Sequence, residues 1–154
     1  MGNRAVVFFE SADTGLDKYD RYAGVYLHWN GSPGSVYAFL EYMKEVNVRF
    51  GDEPYARACF VQIVRNFFGG TLSVGVECYT LKEACNIGSD NGVYVVRWNS
   101  PDYEVDRYNY GMEKFTADAV QMERSRVNES QYWKRMPSIF DDLRDKNGSH
   151  FKRD

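Results

Sequence analysis

The stretch richest in possible chemistry is Gly24-Val25-Tyr26-Leu27-His28-Trp29-Asn30-Gly31-Ser32-Pro33-Gly34-Ser35-Val36. It reads as a strand, a glycine-containing loop and the first turn of a helix. A helix N-terminus offers free N–H groups and positive potential, so such a loop can hold a phosphate. His28, Asn30, Gly31, Ser32 and Ser35 are the ligand-binding candidates of that reading. The glycines are not followed by Lys-Ser/Thr, so this is not a Walker-type phosphate loop. The competing reading is an ordinary strand-to-helix turn with Ser35 as its cap.

Other constellations are thinner. His28 lies beside Trp29 at a strand end, where a general base could be placed. Nothing in the sequence brings Ser32, Ser35 or Cys59 to it as a nucleophile. A half-buried, hydrogen-bonded imidazole is the plainer reading. A zinc site from His28, Cys78 and Cys85 fails on spacing, because six residues separate the cysteines and no second close pair exists. Cys59 falls on an apolar helical stripe, where a thiol behaves as a small hydrophobe. Asp13, Asp17 and Asp20 do not meet the calcium-loop pattern and read as a solvated loop. Neither a metal nor a cofactor is expected.

A second group of candidates lies late in the chain. Tyr103, Tyr108, Tyr110, Tyr132 and Trp133 stand among Arg107, Lys114, Arg124, Arg126, Lys134 and Arg135. Tyr, Trp and Arg dominate binding hot spots. Aromatic and basic residues together also suit single-stranded nucleic acid. Residues 99–154 hold 11 acidic against 10 basic groups, however, which favours a protein surface over a phosphate backbone. Tyr108, Tyr110, Tyr132, Trp133 and Arg135 are the partner-binding candidates. The alternative is a solvated rim whose aromatics finish the core.

The elements that position these residues follow from hydrophobic patterning. The chain has 154 residues, net charge −3 and 16% aromatics. Residues 1–98 hold 27 of the 35 Leu, Ile, Val and Phe residues, whereas residues 99–154 hold 21 of the 41 charged ones. This predicts a core over 1–98 and a charged, aromatic segment over 99–154, packed on that core or extending from it within one domain. On this reading residues 112–154 are removable without unfolding the core.

Strands are predicted at Arg4–Phe9, Gly24–Trp29, Thr71–Cys78 and Val93–Trp98, with Tyr103–Tyr108 as an edge strand. Helices are predicted from Ser35 to Val48 and from Pro54 to Phe68, the second ended by Gly69-Gly70. A short helix is predicted at Ser138–Asp145. The order β-β-α-α-β-β, then β and α, excludes a doubly wound parallel sheet. The expected fold is α+β: a mostly antiparallel sheet of four to five strands with two helices on one face. No run approaches the length of a membrane span. The start Met1–Phe9 is too short for a signal-peptide core. Val6 stands where a myristoylation motif needs Ser or Thr. Three cysteines without close pairing suggest a reducing compartment. The expectation is a soluble cytoplasmic protein that does not engage a membrane.

Several stretches resemble a family of small uncharacterised proteins from bacteriophages and integrated mobile elements. They are Met1-Gly2-Asn3-Arg4-Ala5-Val6, Gly24-Val25-Tyr26-Leu27-His28-Trp29-Asn30-Gly31, Ser35-Val36 with Ala38-Phe39-Leu40, Asn66-Phe67-Phe68-Gly69-Gly70-Thr71-Leu72-Ser73-Val74-Gly75 and Asp90-Asn91-Gly92. The resemblance spans roughly residues 1–98. It carries over no catalytic residue. It implies an accessory protein of a mobile element in a bacterial cytoplasm, many of which antagonise host defence, CRISPR systems included, by binding. The resulting expectation is a non-enzymatic inhibitor of a host defence complex, anti-CRISPR-like, acting through protein–protein contact. A nucleotide sponge using the Asn30–Ser35 loop and a small hydrolase or transferase using His28 are the alternatives.

Overall fold

The structure is a computed structural model, and it describes residues 2–10, 16–68 and 74–129. Its centre is β1, Ala5–Glu10, whose six residues are all buried. β2 (Tyr22–Leu27) pairs antiparallel with β1, and β3 (Val74–Tyr79) antiparallel with β2. On the other side β4 (Val93–Asn99) runs parallel to β1, and β5 (Asp102–Tyr108) turns back antiparallel along β4. The sheet order is β3-β2-β1-β4-β5, so one of its four contacts is parallel and three are antiparallel. The α+β class and the mostly antiparallel sheet agree with the sequence pattern.

Side chains alternate along a strand, so β1 faces two cores. Ala5, Val7 and Phe9 point to one, with Val25, Leu27, Tyr94 and Val96. That core is covered by α1 (Pro33–Glu45) and α2 (Glu53–Phe68), through Val36, Phe39, Leu40, Met43, Phe60 and Val64. Val6 and Phe8 point to the other, with Val93, Val95 and Tyr79, beneath α3 (Leu81–Ile87). The two predicted helices, α1 and α2, share one face as expected, and α3, which hydrophobic patterning did not predict, covers the other. A one-sided cover would leave Val6, Phe8, Val93 and Val95 in water. Hydrophobic patterning does not predict α3, because seven residues are too few to display a period. Its signal was a capping box: the Thr80 hydroxyl accepts the Glu83 N–H at 3.2 Å, and Glu83 Oε2 accepts the Thr80 N–H at 3.4 Å.

A fourth helix, α4 (Ala117–Glu129), packs on α1 and β5. Only Val120 and Val127 of α4 join the first core, which is why no apolar stripe announced it. Two arginines do most of the docking. Arg124 Nε donates to Glu41 Oε1 at 2.7 Å, Nη2 to Asp102 Oδ1 at 2.8 Å and Nη1 to Tyr103 O at 3.2 Å. Its guanidinium lies 4.0 Å from the Tyr103 ring centre, and the Tyr103 hydroxyl donates to Glu41 at 2.7 Å. Arg107, 3% exposed, donates Nε and Nη2 to the two oxygens of Glu123, and Nη1 to Asn91 O. It stacks on Tyr94 at 4.0 Å and on Phe115 at 4.7 Å. Removing residues 112–154 would therefore take Phe115, Arg124 and Val127 out of the packed structure. A chain ending at Glu129 keeps these contacts. The expected helix at Ser138–Asp145 lies outside the described residues.

Burial opposes ionisation of Asp102, but donors from Arg124, the Tyr103 N–H and Lys44 outweigh it and hold its carboxyl below the usual range. The pair is thus ionic in the folded chain. Truncating Arg124 would remove the charge partner of near-buried Glu41 and leave it the Tyr103 hydroxyl. Arg124→Ala is expected to cost about 3 kcal/mol in urea denaturation, the scale for breaking a buried ion pair on one side. A loss below about 1 kcal/mol would mean that Val120 and Val127 hold α4 without the arginine.

Candidate interaction site

The end of β5 is placed by a glycine. Gly92 has φ +73°, and a Cβ there would lie 1.9 Å from Tyr108 O. Only glycine permits that approach. Beyond Tyr108 the chain makes a tight loop. The Asn109 N–H donates to Glu113 O at 3.0 Å, and the Met112 N–H donates to Asn109 O at 3.0 Å. The Asn109 side chain closes the same loop twice more. Its Oδ1 accepts the Glu113 N–H at 3.0 Å, and its Nδ2 donates to Glu113 Oε2 at 3.0 Å. Asparagine suits this role because its short amide mimics a backbone peptide. Met112 takes φ 63°, which reverses the chain. A bridge from Tyr108 to Lys114 and a bond from the Phe115 N–H to Arg107 O at 2.9 Å then return it along β5.

Tyr110 stands at the tip of this loop and is 61% exposed. Its neighbours are anchored. Tyr108 and Met112 pack on the second core, and Met112 backbone bonds the Cys85 thiol. Burial pushes that thiol up to about 11, so Cys85 is a structural residue and not a nucleophile at neutral pH. Of the partner-binding candidates, the structure brings Tyr108 and Tyr110 to one turn. Tyr132, Trp133 and Arg135 lie outside the described residues. Tyr103, Arg107 and Arg124, which share the late aromatic-basic pattern, are inside the packed structure. For them the core-finishing alternative is the correct one.

The His28–Ser35 stretch is a structural corner. β2 ends at Leu27, so His28 and Trp29 lie just past it. His28 Nδ1 pairs with the Tyr26 hydroxyl at 2.9 Å, and its ring meets Trp29 edge-on at 5.1 Å. Asn30 has φ 56° and donates Nδ2 to Ser35 Oγ at 3.1 Å. The Gly31 N–H donates to Asn3 O at 2.7 Å, and Gly31 O accepts the Tyr94 hydroxyl at 2.8 Å. The cap of α1 is Ser32 rather than Ser35, because Pro33 supplies the first helical φ and has no N–H to lose. Ser32 O accepts the N–H groups of Ser35 and Val36 at 3.1 and 3.0 Å. The donors that a phosphate would need are thus largely committed to the chain itself.

Cys78 is exposed on β3, Cys85 is buried in the second core and Cys59 lies on α2, so the three thiols do not converge. Among the described residues no group of three His, Cys, Asp or Glu could hold a metal.

One charged group escaped sequence reasoning. Glu10 ends β1, is 3% exposed, and its Oε2 has no hydrogen-bond partner. Its register partner on β4 is Arg97, whose Nη1 is turned instead to Asp106. Arg57 donates to Phe9 O and Ala23 O. Burial raises the Glu10 carboxyl to about 7; Glu53 and Asp106 push the same way, while Arg97 and Arg57 oppose them.

No family model, curated protein or solved structure matches this chain. Asn109→Ala removes both side-chain closures of the loop. It is expected to cost about 1 kcal/mol and to speed hydrogen exchange at the Glu113 and Met112 amides. Unchanged exchange at both would mean that the backbone bonds alone hold the loop.

Glu10 sets a pH dependence. Its acid form is favoured in the folded chain, so its contribution is fully present below about pH 4.5 and fades as pH rises to about 7. Glu10→Gln is expected to be insensitive over that window. The stability gap in its favour should grow by about 3 kcal/mol from pH 4.5 to pH 7.5. A constant gap in paired urea titrations would contradict this assignment.

Proposed function

We propose that this chain is a non-enzymatic binding protein that engages another protein through the Asn109–Glu113 turn. Its action is that of mobile-element accessory proteins that inhibit a host defence complex, CRISPR effectors among them, in a bacterial cytoplasm. The observation that carries the reading is Tyr110, exposed at the tip of a loop closed by four hydrogen bonds. A large amphipathic ring on a rigid backbone surrenders little entropy on docking, which is the property of a hot-spot residue. Tyr132, Trp133 and Arg135 are the further partner-binding residues of this reading and lie outside the described residues. The net charge of −3 and the balance of signs after residue 98 favour a protein partner over nucleic acid. Among the described residues no helix is long and apolar enough to cross a membrane.

The test is affinity capture from a bacterial host lysate, followed by binding measurements with the captured complex. The full chain is expected to retain a discrete host complex. Tyr110→Ala is expected to weaken it about 30-fold or more, equivalent to about 2 kcal/mol, with the same melting temperature. A chain ending at Glu129 separates the turn from the residues beyond. Full binding by both Tyr110→Ala and that shortened chain would overturn the reading.

A further inference from the structure

The two edges of the sheet are finished differently. β5 alternates Asp102, Glu104 and Asp106 along its length, and its far end is closed by the Tyr108–Lys114 bridge. Charges and a covering loop are devices that block pairing with another strand. β3 has neither. Among the described residues it pairs with β2 only, Gly75–Cys78 are exposed, and Val76 is 54% exposed. The strand Val74–Tyr79 carries a single charge, Glu77, and no proline. Its outer N–H and C=O groups form a template for one more strand.

We infer that this edge pairs with the β3 of a second copy of the chain, antiparallel and centred on Val76, joining two five-stranded sheets into one.

The sequence of β3 is complementary to itself in that register. Val76 meets Val76, Val74 meets Cys78, and Gly75 meets Glu77 of the second copy. Val74, Val76 and Cys78 share one face of the sheet by alternation. In the ladder Val76 is paired with Val25, and Val25 with Val7. The row Val7-Val25-Val76 would then run unbroken into its counterpart. On the opposite face, each Glu77 falls beside Gly75 of the other copy, where a Cβ would meet nothing within 4 Å. Centring the pair on Glu77 would set two carboxylates directly opposite, which is unfavourable. Charge therefore selects the register, and the axis makes a second copy the natural occupant. Strand pairing alone buries less than the standard ~1,600 Å² of a stable interface, so the dimer forms with rising concentration.

Light scattering on the full chain over a concentration series, together with two variants, tests this independently of Tyr110. The wild type is expected to shift from monomer towards dimer. Val76→Lys should remain monomeric at every concentration with its melting temperature preserved. In a Cys78→Ser background, Val76→Cys should give a disulfide-linked dimer under mild oxidation, because opposed residues have Cα atoms about 4.5–5.5 Å apart. The native Cys78 lies four positions from its counterpart, about 13 Å along the strand, and should not cross-link. A wild type that stays monomeric throughout would overturn the inference. So would a dimer unaffected by Val76→Lys, or Cys78 linking to Cys78 in preference to the Val76→Cys pair.

Discussion

Strand β1 sits between two other strands and is buried on both faces, so all six of its residues need cover. Ala5, Val7 and Phe9 demand one layer, and Val6 and Phe8 another. Burying a Val or Phe side chain is worth roughly 1.5–3 kcal/mol, so neither set can be left in water. α1 and α2 answer the first demand. α3 answers the second, and Tyr79, Leu81 and Cys85 fill the space beneath it. The inner position of β4 follows from the same constraint. Val93 to Val96 are apolar on both faces, and β4 lies between β1 and β5.

Charged residues complete this structure as well as solubilising it. α4 carries few apolar side chains and still packs, because Arg107 and Arg124 reach across the gap and each donates from Nε and both Nη atoms. Both also lay their planar guanidinia on tyrosine rings. An arginine buries well when every N–H has an acceptor and its flat face has an aromatic partner. Glu10 is the counterexample on the same sheet. Its arginine neighbours are engaged elsewhere, so burial moves its pKa instead.

The turn after β5 derives its rigidity from that framework. Arg107 fixes the end of β5 to Asn91, Gly92 lets the two backbones meet, and Asn109 closes the loop. Tyr110 is the residue left outside. Its type and neighbourhood were legible in the sequence, whereas the separation of Tyr110 from Tyr103 was not. Both are tyrosines in a charged segment. One is exposed and the other fully buried against Phe50 and Arg124.

By itself the sequence determined the α+β class and, among the described residues, seven of the nine elements to within a few residues, the two main helices included. Those features arise from local periodicity and from turn residues such as Gly31, Pro33 and Gly92, which act on their immediate neighbours. Cysteine spacing and charge balance likewise bounded the chemistry. Tertiary structure decided that α3 covers the second face, that β4 lies parallel to β1, and that the charged final third supplies α4. It also decided that Glu10 is buried and that β3, among the described residues, pairs on one side only. The reason is sequence separation. Arg124 is 83 residues from Glu41, and Tyr94 is 63 from Gly31. Whether such side chains meet depends on how the whole sheet closes, which no local pattern encodes.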